Sequence, residues 1–335
     1  MSDRLEVLRH WLDTELNFSE YTLTPASSDA SFRRYFRVTH DGASLIVMDA
    51  PPEKEDSRPF VRVARLLFDA GLNVPELIDM DLGQGFLLLG DLGNTLYLDE
   101  LNEATVERLY GDALGALAAI QACDPGAAML PDYDRTLLLN EMGLFRDWLV
   151  GTHLGITPDA AQSDMLDTAF DLLADNALAQ PQVCVHRDYH SRNLMVTGRN
   201  NPGILDFQDA VIGPVTYDLV SLLRDCYIEW PRARVEDWAL GYRELALQSG
   251  ILREEHDDSQ LFLRWFDLMG VQRHLKAAGI FARLNHRDGK PGYLADIPRT
   301  LGYVVEVAGR HAEFADLGGF IADAVLGRLA GAGKG

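Results

Sequence analysis

The segment Val185-His186-Arg187-Asp188-Tyr189-His190-Ser191-Arg192-Asn193-Leu194 carries an acid, Asp188, and an amide, Asn193, at the two ends of a short loop with apolar flanks. A second acid, Asp206, arrives in Ile204-Leu205-Asp206-Phe207, beyond a Gly- and Asn-rich turn at 198–202. Phosphoryl transfer asks little covalent chemistry of a protein. It needs a carboxylate at the attacking hydroxyl and oxygen ligands for a divalent cation on the phosphates. A loop over 188–193 can aim a carboxylate and an amide oxygen at one place, and a tight hairpin returns Asp206 beside Asn193. The H-R-D-x-x-x-x-N spacing, the apolar flanks and the D-F pair agree with one another, and that agreement makes the pattern specific. Singly, Asp188 and Asn193 are also ordinary turn-capping residues. His186, at a strand end, reads as a brace for the loop.

The elements that must position these residues follow from periodicity. Residues 2–16 read as an amphipathic helix; 31–38 and 44–49 read as two strands joined by the turn His40-Asp41-Gly42. Phe60, Val61, Ala64, Leu67 and Phe68 recur at helical spacing until Gly71 stops them. A second strand pair, 77–80 and 85–89, runs into Gly90-Asp91-Leu92-Gly93, where the boundary between two lobes is placed, 1–92 and 93–335. Beyond it the pattern is mostly helical, starting from Asn102 as a cap. Only 183–185, 193–196 and 203–205 look extended, and helical periodicity returns from Pro214. The expected class is therefore α/β (α+β): a small β-rich N-lobe and a larger α-rich C-lobe.

Composition narrows the partners. A chain of 335 residues with 47% hydrophobic content can bury a sizeable core, and 30 basic against 51 acidic side chains give a formal charge of −21. That charge disfavours nucleic acid and anionic membrane surfaces. Cys123, Cys184 and Cys226 form no C-x-x-C pair, so neither a disulfide framework nor a zinc site is expected. No signal-peptide pattern and no run of about 18 apolar residues is found, so a cytoplasmic location is expected. Oligomeric state is not legible.

On the strength of the 186–193 string and the Asp206-Phe207 pair, nearly the whole chain resembles the aminoglycoside phosphotransferase and choline kinase superfamily, relatives of protein kinases. The resemblance implies a protein-kinase-like fold, ATP and Mg²⁺, Asp188 as catalytic base, Asn193 and Asp206 as metal ligands, and a nucleotide-binding N-lobe with Gly90–Gly93 as the hinge beside adenine. Asp91 lies in that hinge. Asp218 matches the superfamily's acid near the start of the following helix, and a loop-bracing role is expected for it. The pattern Ser27-Ser28-Asp29-Ala30-Ser31-Phe32-Arg33-Arg34-Tyr35-Phe36, followed by Val47-Met48-Asp49-Ala50-Pro51-Pro52, is more particular. It is similar to bacterial anomeric kinases that phosphorylate N-acetylmuramate and N-acetylglucosamine at carbon 1 in cell-wall recycling.

Two departures qualify the resemblance. The turn at 27–31 has no glycine, leaving Ser28, Ala30 and Phe32 as phosphate contacts through small side chains and backbone N–H groups. Met48 stands where a nucleotide lysine is expected, and the helix over 60–70 has no glutamate, so both halves of the usual pair are missing together. Arg34 is the replacement cation favoured here; Arg33, Arg62 and Arg65 are further candidates. For the sugar, His190, Tyr227, Glu229 and Trp230 are the contact candidates, against packing roles for the aromatics. Arg273 or Lys276 would suit a substrate carboxylate. A choline- or aminoglycoside-type kinase and a nucleotide-binding pseudokinase are the competing readings, and intact Asp188, Asn193 and Asp206 weigh against the last.

Overall fold

The structure is a computed structural model, which describes residues 2–28 and 32–332. Two compact units divide it: 1–112 with 193–209, and 113–192 with 210–335. The first unit thus reaches past the 92/93 boundary read from sequence and recovers 193–209 from later in the chain.

The first unit is built on a five-stranded antiparallel sheet in the order β1-β2-β3-β5-β4, with β1 Thr22–Ser28, β2 Arg34–His40, β3 Ala43–Asp49, β4 Leu77–Asp81 and β5 Phe86–Gly90. Asp41 and Gly42, both at positive φ, make the two-residue turn between β2 and β3. The edge strand β1 was not expected. Its Thr-Leu-Thr-Pro-Ala-Ser-Ser sequence reads as loop, and an edge is where a sheet tolerates Pro25; the register shifts between Pro25 and Ser27. Helix α1 (Ser2–His10) continues as a π-helical turn over Trp11–Glu15. Leu8, Trp11 and Leu12 pack with Val38, Val47, Phe86 and Leu88, each buried side chain contributing ~1.5–3 kcal/mol.

Helix α2 (Arg58–Asp69) buries Phe60, Val61, Val63, Ala64 and Leu67 and stops before Gly71 at φ +79°. Strands β7 (Leu194–Met195) and β8 (Gly203–Ile204) form the short hairpin after the 186–193 loop. It joins this unit through bridges from Asn73 to Gly203 and from Leu96 to Met195. A side chain at Gly203 would press on Leu92, Thr197 and Met195, so glycine permits the approach. A short helix α3 (Tyr97–Glu100) precedes α4 (Val106–Gln121), which begins in this unit.

The second unit is helical: α5 (Arg135–Leu144), α6 (Ala160–Leu178), α7 (Tyr217–Leu223), α8 (Arg232–Gln248), α9 (Ser259–Asp288), α10 (Ile297–Ala308), α11 (Ala315–Phe320) and α12 (Gly327–Ala332). Asp134 and Asp159 cap α5 and α6 by accepting the N–H groups of Leu137 and Gln162, both at 2.8 Å. The 30-residue α9 is the central element, buried along most of its length. At Gly279 it passes so close to Leu144 that a Cβ would lie 2.3 Å from that residue's carbonyl carbon. Strands β6 (Gln182–Val185) and β9 (Val211–Pro214) pair antiparallel. The second had been read as the approach to a helix; four residues are too few for periodicity to identify a strand. No described helix is long and apolar enough to cross a membrane.

Candidate active site

Strand β6 leads directly into His186, and the loop that follows is clamped by two buried carboxylates. Asp218, in the first turn of α7, accepts the backbone N–H groups of His186 (2.6 Å) and Arg187 (2.9 Å). Asp225, just beyond α7, accepts those of Ser191 and Tyr227, both at 2.9 Å. Arg187 sits at φ +77°, a left-handed conformation that costs a non-glycine residue ~1–3 kcal/mol and persists where surroundings over-determine it. The His186 ring accepts the Asp188 N–H at Nδ1 (3.2 Å), which places its proton on Nε2, and packs edge-on to Tyr189. Tyr189 in turn donates its hydroxyl to the Ala113 carbonyl at 2.8 Å. His186 and Asp218 thus both make hydrogen bonds to the backbone of this loop. Asp225 had no signal in the sequence, because a lone acid after a helix looks like any other.

The electrostatics favour an ionised Asp188. Burial pushes its carboxyl up, but Lys276, His190, Arg273 and Arg187 together outweigh burial and hold it below the usual carboxylate range. Burial moves Asp218 the other way, up to about 7, against the pull of its two N–H donors and of Arg273. His190 is lowered, chiefly by burial.

The four sugar-contact candidates separate into two groups. His190 meets Tyr227 edge-on with ring centroids 5.4 Å apart, and the Arg192 guanidinium lies 3.7 Å from the Tyr227 centroid. Phe281 and Tyr293 continue this aromatic surface. Glu229 and Trp230 instead line a cavity of about 370 Å³ with Arg224, Arg232, Tyr303 and Glu306. Trp230 is buried against Trp238 at 6.0 Å, a packing contact.

In the other unit, Leu205 N–H donates to the Asn193 carbonyl (2.9 Å), and the hairpin brings the Asn193 amide to 3.3 Å from the Asp206 carboxylate. Gln208 donates to the other Asp206 oxygen at 2.8 Å. Asp206 has φ +62°, left-handed like Arg187, and Phe207 beside it is buried against Phe60 of α2. An amide oxygen and a carboxylate side by side suit a hard cation. Among the described residues no group of three or more His, Cys, Asp and Glu could hold a metal by itself, which fits an ion that takes its other ligands from phosphate and water.

Around the sheet, Met48 is fully buried between Tyr35 and Leu87 on the neighbouring strands. Arg34 is half-exposed and paired with Asp49, whose other oxygen is held by Arg4 at 2.7 Å. Asp91 pairs with Arg37 (2.6 Å) and accepts the Gly93 N–H (2.9 Å). Phe32 is exposed, with the Lys54 ammonium 4.4 Å from its ring centroid. Ala30 lies outside the described residues; Ser28 ends β1.

A family model described as "Phosphotransferase enzyme family" matches residues 22–262. The chain belongs to this family. Over nearly its whole length this phosphotransferase is similar to proteins called N-acetylmuramate/N-acetylglucosamine kinase. One, from Pseudomonas putida, is 50% identical over 98% of this chain and 98% of its own; another, from Pseudomonas aeruginosa, is 49% identical over 96% and 98%. Among solved structures, the GDP complex of aminoglycoside 2'-phosphotransferase-IIIa superposes with a TM-score of 0.63 at 15% identity, covering 91% of this chain and 98% of that one. Choline kinase LicA from Streptococcus pneumoniae gives 0.62 at 13% identity, covering 90% and 98%. The phosphotransferase thus has the kinase-like fold expected from its sequence, on a sequence far from either structure.

Proposed function

We propose that this phosphotransferase transfers the γ-phosphoryl group of ATP to the anomeric hydroxyl of N-acetylmuramate or N-acetylglucosamine, releasing ADP and the sugar 1-phosphate. The observation that carries the reading is the Asp188 carboxylate, partly buried yet favoured in its ionised form by Lys276, His190, Arg273 and Arg187, in a chain half identical to kinases named for these two sugars. The sugar oxygen forms its bond to phosphorus as the bond to the β–γ bridging oxygen breaks, and the hydroxyl proton passes to Asp188. An anomeric hydroxyl is more acidic than other sugar hydroxyls, so a carboxylate that stays ionised is base enough when the proton leaves late.

Asn193 and Asp206 would hold Mg²⁺ through the amide oxygen and carboxylate, and the ion would neutralise charge on the nucleotide phosphates. Arg34 is assigned to the phosphates. Since Asp49 has Arg4 as a second partner, Arg34 can leave it without stranding a buried charge. Ser28, Ala30 and Phe32 would border the phosphates, and Asp91 would shape the hinge through Arg37. His190 and Tyr227 are assigned to the sugar, with Arg192 and Phe281 extending the stacking surface. Glu229 and Trp230, in the other cavity, are left outside this assignment.

The test is phosphate transfer to N-acetylmuramate, N-acetylglucosamine, choline and kanamycin with ATP and Mg²⁺, the product position read by phosphorus NMR. A 1-phosphate on either amino sugar is expected, with Asp188→Asn slower by ~10²–10⁴-fold. Turnover only on choline or kanamycin overturns the sugar assignment, and no turnover on any acceptor leaves a nucleotide-binding protein without activity.

A further inference from the structure

Next to the catalytic loop lies a charged group for which the reaction has so far found no use. Glu141, on α5, is buried, and its carboxylate takes the Lys276 ammonium at 3.0 Å, the Arg187 guanidinium and the Tyr133 hydroxyl. Lys276, on α9, also donates to the Tyr217 hydroxyl at 2.8 Å and lies over that ring. Tyr133 and Tyr217 meet edge-on at 5.4 Å, and Gln272 donates to the Tyr133 hydroxyl at 3.2 Å. Every member of this network is in the helical unit that carries Asp188.

Lys276 is also the cation with the strongest hold on Asp188. One buried ammonium therefore acts on two carboxylates, in contact with Glu141 and at longer range with Asp188, on a flexible four-carbon stem. For Asp188 the two ranges have opposite consequences. At a distance its charge keeps Asp188 ionised; in contact its N–H groups would occupy the oxygen that must receive the sugar's proton.

We propose that Glu141 is a positioning residue that holds the Lys276 ammonium away from Asp188, so that the lysine lends its charge to the base without capping it. The proposal rests on Asp188 being the base. It also explains why the network ends on Tyr217: a second acceptor takes the donor that Glu141 leaves over. Arg187 gains from the same carboxylate, which anchors its side chain while Asp218 holds its backbone.

The experiment compares kcat and KM of wild type, Glu141→Gln, Lys276→Met and the Glu141→Gln/Lys276→Met double variant, with Asp188→Asn alongside. In Glu141→Gln the freed ammonium closes on Asp188, and kcat falls ~10–100-fold, one to two steps of 1.4 kcal/mol, while KM for ATP stays within ~2-fold. Removing the lysine as well brings kcat back up several-fold. A role in stability alone would instead lower the unfolding temperature of Glu141→Gln and restore it in the double variant, which removes the cation left uncompensated, with kcat per folded enzyme unchanged in both. Thermal unfolding confirms that each variant is folded. If Glu141→Gln does not fold, Glu141→Asp keeps the charge and shortens its reach; kcat then falls ~3-fold and recovers when Lys276→Met is added. A Glu141 variant at wild-type kcat, or a double variant no faster than its parent, overturns the proposal. Full activity in Asp188→Asn would instead overturn the base assignment, so the two failures are distinguishable.

Discussion

The two compact units handle charge differently. In the helical unit Arg224, Asp267, Glu141 and Lys276 are closed off from solvent and tied to one another or to tyrosines, and buried Arg273 reaches the Cys226 sulfur. In the sheet unit the Asp49 and Asp91 side chains are buried, but the arginine side chains paired with them stay 36% and 24% exposed at Arg34 and Arg37. A buried pair is expensive to break and weak as a source of stability, so its value lies in fixing position. A half-exposed arginine can exchange partners at little cost. On the proposed assignment, the helical unit would hold a reacting carboxylate still, and the sheet unit would let its arginines move toward a ligand that arrives and leaves.

Breaking a buried pair should give the largest effect. Asp267 holds Arg224 at 2.9 Å, Arg232 at 3.0 Å and His311 at 3.3 Å, and Arg224 has almost no access to water. Asp267→Asn should cost ~3–5 kcal/mol in denaturant unfolding, because it leaves a buried cation uncompensated. Gly279→Ala comes next: its methyl group would lie on the Leu144–Phe145 backbone, and forcing α9 away from α5 should cost ~1–3 kcal/mol. Asp91→Asn, the counterpart in the sheet unit, should cost no more than ~1 kcal/mol at low salt and less at high salt. If that loss equals the one at Asp267, the contrast between the units fails.

A pH measurement sharpens the same contrast. The Asp218 carboxyl is higher in the folded protein, at about 7, than in an unfolded chain at 3.8. A group raised in this direction contributes stability that is complete below its unfolded value and lost as pH rises through its folded one. The unfolding free energy should therefore decline between about pH 4 and pH 7 by the slope of up to one proton, and Asp218→Asn should flatten that decline. An unchanged slope would mean that the two backbone donors, not burial, govern Asp218.

Local pattern explains what could be read without coordinates. The nearness of Asn193 to Asp206 was legible because the loop and hairpin that set them are short and their spacing is itself the signal. The β2–β3 turn was legible because Asp41-Gly42 needs positive φ twice. Asp225 was not: the amide it braces, on Ser191, is 34 residues away, and the link is made only by the packing of α7 beside the loop. Glu141 pairs with Arg187 across 46 residues and with Lys276 on another helix, and no periodicity connects α5, the loop and α9. Strand β1 stayed hidden because Pro25 and its small neighbours carry turn chemistry, and only the edge of a sheet makes that composition a strand. Glu229 and Trp230 were grouped with Tyr227 by nearness in sequence, and the backbone between them carries them into a different cavity.

Asp225 has a consequence for how sugars are told apart. One of its oxygens holds the loop at Ser191 and the other holds the segment that begins with Tyr227. A single carboxyl group is too small to stretch, so loop and aromatic platform are geared together at fixed distance. On the proposed assignment, a sugar that tilts Tyr227 would tilt Asp188 as well, and a poor fit at the platform would then be felt as slow turnover in addition to weak binding.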